Sequence, residues 1–86
     1  MNVQAEVSLY PLRTLNLGPS IDRFLDTLHA GGLKVNPGSM SSTATGDAGT
    51  LFATLGKAFQ DAAGEAPVVL ILKVSNACPT GREKVQ

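Results

Sequence analysis

An α+β chain in the order β-α-β-β-α-β is what this sequence predicts, on three observations. Val3, Ala5, Val7 and Leu9 alternate with Gln4, Glu6, Ser8 and Tyr10, the period of two that gives a strand two unlike faces. Two later segments repeat their apolar residues at helical spacing: Ile21, Phe24, Leu25 and Leu28, then Leu51, Phe52, Leu55, Ala58, Phe59 and Ala62. Between and after them lie short runs rich in β-branched residues, bounded by Gly and Pro.

Taken in order, the first strand runs from about Val3 to Leu9, and Pro11 helps to end it because proline donates nothing to a ladder. Residues 13–19 are polar, hold Gly18 and Pro19, and read as a loop. Ser20 is placed to cap the first helix, and Gly31 and Gly32 supply the left-handed conformation that stops it. Leu33 to Pro37 is a short second strand with a bend at Pro37-Gly38; Met40 to Thr45 is a third, closed by Gly46. Asp47 caps the second helix and Gly64 ends it, with Gly56 weakening it by about 1 kcal/mol relative to Ala. Pro67 opens the last strand, Val68 to Val74.

Two helices cannot bury their stripes on each other and also shield both sides of a sheet. Packing both on one face of a four-stranded antiparallel sheet, a ferredoxin-like plait, resolves this. Right-handed crossovers put the first and third strands in the centre and the second and fourth at the edges. Val3, Ala5, Val7 and Leu9 then pack beneath Phe24, Leu28, Phe52 and Phe59. The whole is one domain over residues 1–76, followed by a polar tail over 77–86 containing Pro79 and Gly81.

Composition narrows the function. At 86 residues a domain buries only roughly 60–65% of its unfolded surface and gains from oligomerisation. Seven basic and seven acidic residues cancel and form no basic stripe, so nucleic-acid binding has no electrostatic source. Cys78 is the only cysteine, which excludes an intrachain disulfide, and no metal-ligand spacing surrounds it. His29 lies off the apolar stripe of its helix and reads as solvated. No basic-then-apolar leader appears and the longest apolar run is far too short to span a bilayer, so a cytoplasmic protein without membrane contact is the expectation.

The row Gln4, Glu6, Ser8 and Tyr10 must face away from the helices. With Ala44 pointing inward, Thr43 and Thr45 join it from the third strand, Lys34 and Asn36 from the second, and Val69, Ile71 and Lys73 from the fourth. One reading is a wet or subunit-facing sheet in which Lys73 neutralises Glu6 across the strand pair. The other is a polar pocket for a small heterocycle, with hydroxyls, a carboxylate and a flat ring suited to an amino-substituted aromatic or a cation.

The stretches AEVSLYPL (5–12), Gly38-Ser-Met-Ser-Ser-Thr43 and Thr45-Gly-Asp47 resemble the thiamine-binding, YkoF-like family, formerly DUF77. Its members carry an AEISLYPL-type first strand, then G-x-M-S-T-T, then G-D before the second helix. The matching positions are Glu6, Ser8, Tyr10, Pro11, Gly38, Met40, Ser41, Ser42, Thr43, Gly46 and Asp47. Departures are Ser42 in place of the usual Thr, a longer loop over 13–19, and a tail without the expected charge pattern. The resemblance implies cytoplasmic, non-catalytic proteins that bind thiamine or its hydroxymethylpyrimidine moiety and assemble as homodimers or homotetramers, with no cofactor beyond the vitamin as ligand.

Gly38 and Gly46 read as backbone requirements, Asp47 as a cap and Pro11 as a strand end. Glu6, Ser8, Tyr10, Ser42 and Thr43 are the candidate ligand contacts, with Met40 either lining a ring pocket or packing in the core. No catalytic or metal-binding residue is assigned. Two alternatives stay open: a regulatory or oligomerisation module without thiamine specificity, and an acylphosphatase-like hydrolase built around Arg13.

Overall fold

The computed structural model describes residues 1–15 and 17–77, in the order β1 (Asn2–Pro11), α1 (Leu17–Ala30), β2 (Lys34–Asn36), β3 (Ser42–Asp47), α2 (Ala48–Ala63) and β4 (Val68–Ser75). The four strands form one antiparallel sheet in the order β2-β3-β1-β4. This is the plait that the sequence predicts, with β1 and β3 central and both helices on one face. Cys78 and the tail with Pro79 and Gly81 lie outside the described residues.

β1 alternates along its length. Val3, Ala5, Val7 and Leu9 are buried, joined by Ala44 of β3, Leu33, Phe24 and Leu28 of α1, and Leu51, Leu55 and Ala58 of α2. Leu28 and Leu51 have no accessible surface and occupy the centre of this core. Gly31, where α1 ends, sits so close to α2 that a Cβ there would lie 2.5 Å from Thr54 Cγ2. Gly32 takes φ +103°, the left-handed turn that only glycine adopts without strain.

The structure corrects the sequence reading at several points. α1 begins at Leu17, so Ser20 lies inside its first turn rather than capping it. Pro19 and Gly18 signal a loop in sequence, yet proline is tolerated in a first turn because the N–H it lacks has no intrahelical acceptor there. β3 starts at Ser42, leaving Met40 in the preceding loop, 88% exposed and no part of the core. Pro11 is the final residue of β1, opposite Val68, and the ladder is closed by Leu12 N–H donating to Pro67 O at 2.8 Å. Gly64 ends α2 in a right-handed conformation.

The largest correction concerns the aromatic residues. Only Phe24 is core; Phe52 and Phe59 are 54% and 37% exposed. Both fall on the apolar stripe of α2, but that stripe is wider than the contact the helix makes. Leu51, Leu55 and Ala58 fill the contact, and the two phenylalanines sit on its flank. Asp47 caps α2 as expected, its carboxylate accepting from Thr50 N–H at 3.3 Å and lying 3.2 Å from the Met1 amino group.

Candidate ligand site on the uncovered sheet face

Strand register aligns the outward side chains into transverse rows, since residues directly opposite in an antiparallel pair share a face. Glu6 of β1 stands opposite Thr43 of β3 and Lys73 of β4, and Thr43 stands opposite Asn36 of β2. Asn36, Thr43, Glu6 and Lys73 thus cross all four strands in one row. The next row is Lys34, Thr45, Gln4 and Ser75. Beyond the end of β3, Ser8 faces Ile71 and Tyr10 faces Val69.

Glu6 is the electrostatic focus of this face. Its Oε2 accepts from Ser41 Oγ at 2.9 Å, and its Oε1 lies 3.2 Å from Lys73 Nζ. The Ser41 hydrogen bond first, and then the bond and charge of Lys73, hold the carboxyl below its ordinary value. The carboxylate is therefore ionised at neutral pH. Its side chain is about half exposed and that of Lys73 is 80% exposed, so the pair is open to exchange.

Around this carboxylate lies an open concavity of about 440 Å³, lined by Gln4, Glu6, Thr43, Lys73 and Ser75 among others. Its size falls within the roughly 300–1,000 Å³ typical of small-molecule sites. A second concavity, of about 220 Å³, lies where β1 runs on past β3, lined by Ser8, Tyr10, Ile21, Gly38, Met40 and Ser42. Gly38 is demanded by the loop that forms its wall: a Cβ there would lie 2.2 Å from Ser41 O.

The candidate contacts are thus divided. Glu6 and Thr43 share the larger concavity; Ser8, Tyr10, Met40 and Ser42 line the smaller one. Ser42 pairs with Val7, which turns it toward the helices, and it is only 8% exposed. Ser41 was missed. It donates to Glu6, although the sequence reading names Ser42 and not Ser41 among the candidate contacts, and the signal is present: once Ala44 points inward, parity turns Ser42 inward too and sends Ser41 outward with Thr43.

Arg13, the residue on which a phosphate-handling alternative rests, has φ 56° and lies elsewhere. It lines a cavity of about 400 Å³ with Thr14, Ser20, Arg23 and Glu65, where Arg23 is already ion-paired with Glu65. Among the described residues no group of three or more His, Cys, Asp or Glu side chains could hold a metal ion, and no helix is long and apolar enough to cross a membrane. His29, in the last turn of α1, is exposed.

Comparison of the sequence finds no matching family model and no matching curated protein. Solved structures do match. The hypothetical protein MJ1052 of Methanocaldococcus jannascii superposes with a TM-score of 0.80 at 22% identity, over 98% of this chain and 87% of that one. A protein of Thermotoga maritima, named for a proposed role in thiamine biosynthesis or salvage, gives 0.76 at 20%, over 86% and 82%. The DUF77 domain of unknown function from Bacillus cereus gives 0.76 at 20%, over 96% and 83%. At such identities the likeness establishes a shared architecture: this chain has the ferredoxin-like fold of the DUF77 domain.

Proposed function

We propose that this chain is a thiamine-binding protein of the YkoF-like, DUF77 type. It takes up thiamine or the hydroxymethylpyrimidine moiety on the uncovered sheet face without catalysis, as a cytoplasmic carrier or sensor. Three supports converge: the motifs around Glu6 and Thr43, the shared fold, and the proposed thiamine-related role of the Thermotoga maritima neighbour. The single observation that carries the reading is the ionised Glu6 carboxylate, held by Ser41 and Lys73 at a concavity that Gln4, Thr43, Val74 and Ser75 also line.

The chemistry fits the ligand. An aminopyrimidine presents an exocyclic N–H donor beside a ring-nitrogen acceptor. Glu6 accepts from the first, and the neighbouring Thr43 hydroxyl donates to the second. Thiamine also carries a fixed positive charge on its thiazolium ring, which the Glu6 carboxylate attracts through space while the pyrimidine is bound. Tyr10 stands about 13 Å along the strand from Glu6 at roughly 3.3 Å per residue. One ring cannot touch both residues, whereas a two-ring ligand reaches from the first toward the second.

Calorimetric titration tests the reading. Thiamine or hydroxymethylpyrimidine is expected to bind in the micromolar range or tighter, and Glu6→Ala to weaken that binding. Absence of heat with thiamine, its phosphates and the pyrimidine removes the proposal.

A further inference from the structure

We propose that the cavity lined by Arg13 and Arg23 is a second binding site, for a small phosphate monoester, with Glu65 as a tethered competitor for Arg23. The cavity, of about 400 Å³, lies where the β1–α1 loop, the first turns of α1 and the α2–β4 loop meet. Leu12 N–H donates to Pro67 O at 2.8 Å, which ties the two loops together immediately beside Arg13 and Ala66. The place is remote from the sheet-face ligand. Glu6 lies about 16 Å back along β1 from Pro11, at roughly 3.3 Å per residue.

Charge marks this cavity for an anion. Two guanidinium groups line it against one carboxylate, that of Glu65. Arg23 pairs with Glu65, whereas the Arg13 side chain has no ion pair or hydrogen bond among the described residues. One positive charge is therefore left without a counter-charge. Stability does not account for the Arg23–Glu65 pair, because both side chains are more than half exposed and ion pairs that exposed contribute little. What the pair does establish is that Arg23 receives an oxyanion in this position and that the resident one is free to exchange.

The chemistry of the lining selects the kind of anion. A carboxylate has two oxygens and occupies one guanidinium. A phosphate monoester has three terminal oxygens and is nearly doubly charged at neutral pH, so it accepts from both guanidinium forks at once. The Ser20 hydroxyl, on the same wall, is a donor for a remaining oxygen. An adjoining concavity of about 350 Å³ runs between α1 and α2 and shares Ser20, Arg23 and Glu65 with the first. Phe24, Ala58 and Ala62 give it an apolar lining, which suits the organic group of an ester. Asp61, also in its wall, repels a second anionic group, so the ligand carries a single phosphate.

Amide NMR titration with sodium phosphate and with phenyl phosphate, each compared with sodium chloride at matched ionic strength, tests this. Both are expected to give saturable shifts at Arg13, Ser20 and Arg23, with phenyl phosphate binding several-fold the tighter. Arg13→Gln is expected to weaken phenyl phosphate binding roughly ten-fold, the scale of losing one charged hydrogen-bond partner. Glu65→Gln is expected to strengthen it several-fold, because the competing carboxylate is gone. Both replaced side chains are exposed, and native circular dichroism checks each variant. Thiamine enters neither titration, so the outcome is independent of the sheet-face reading. Shifts no larger than those with chloride, binding that Arg13→Gln leaves unchanged, or binding that Glu65→Gln fails to strengthen overturns the proposal.

Discussion

The two faces of β1 are built from the same ten residues and have opposite chemistry. On the covered face Val3, Ala5, Val7 and Leu9 are each 6% exposed or less and touch both helices' core residues. On the uncovered face Gln4, Glu6, Ser8 and Tyr10 stay accessible, and Glu6 makes its polar contacts with the half-buried Ser41 and the exposed Lys73. The difference teaches how a small plait separates its tasks. Burial of one row holds the sheet together, and the other row, relieved of packing, presents a charge that would be costly to bury. Substitutions on the covered side should therefore act on stability, and those on the uncovered side on ligand affinity.

The largest expected effect lies on the covered side. Leu28→Ala or Leu51→Ala removes a side chain with no accessible surface and should cost about 2–5 kcal/mol, read by urea denaturation. In a domain of this size that is a large share of total stability. A smaller loss would mean that the core closes around the gap.

Next comes Glu6→Ala, expected to lower thiamine affinity roughly 10- to 100-fold, the usual scale for losing a charged hydrogen-bond partner. Its melting temperature should barely move, because the ion pair is exposed. A collapse of stability with affinity intact would invert the division between the faces.

A finer contrast sets adjacent serines against each other. Ser41→Ala removes the hydroxyl that donates to Glu6 and should weaken binding several-fold in calorimetry. Ser42→Ala, turned toward the helices, should leave affinity close to unchanged.

The smallest effect is in pH. Glu6 and Asp47 both have carboxyls lowered in the folded chain, Glu6 mainly by Ser41 and Asp47 mainly by Thr50 N–H. A lowered folded value means that each contribution to stability is complete above the ordinary carboxylate range and is lost as pH falls through the folded value. Melting temperature should accordingly decline on acidification through and below that range. An NMR titration of the Glu6 carboxyl should show its midpoint rise in Ser41→Ala.

Much of this was legible in the sequence because period two and period 3.6 are geometric necessities. The alternation from Val3 to Tyr10 specified which side of β1 is covered, and the cap at Asp47 followed from the residue type that meets free helix N–H groups. What misled was local. Gly18 and Pro19 read as loop although a first helical turn accepts both, and the α2 stripe hid the fact that Phe52 and Phe59 lie outside the contact zone. At the site, motif position favoured Ser42, whereas strand parity, already implied by Ala44, favoured Ser41. The division of the candidates between two concavities could not be read from spacing. It depends on β3 stopping at Ser42 while β1 continues to Pro11.

The most direct test of the account is a titration of the isotope-labelled chain with thiamine, followed residue by residue in amide NMR spectra. Shifts concentrated at Glu6, Ser41, Thr43 and Lys73, and lost in Glu6→Ala, are the predicted result. Shifts gathered instead around Arg13 and Arg23, or none at all, would contradict it.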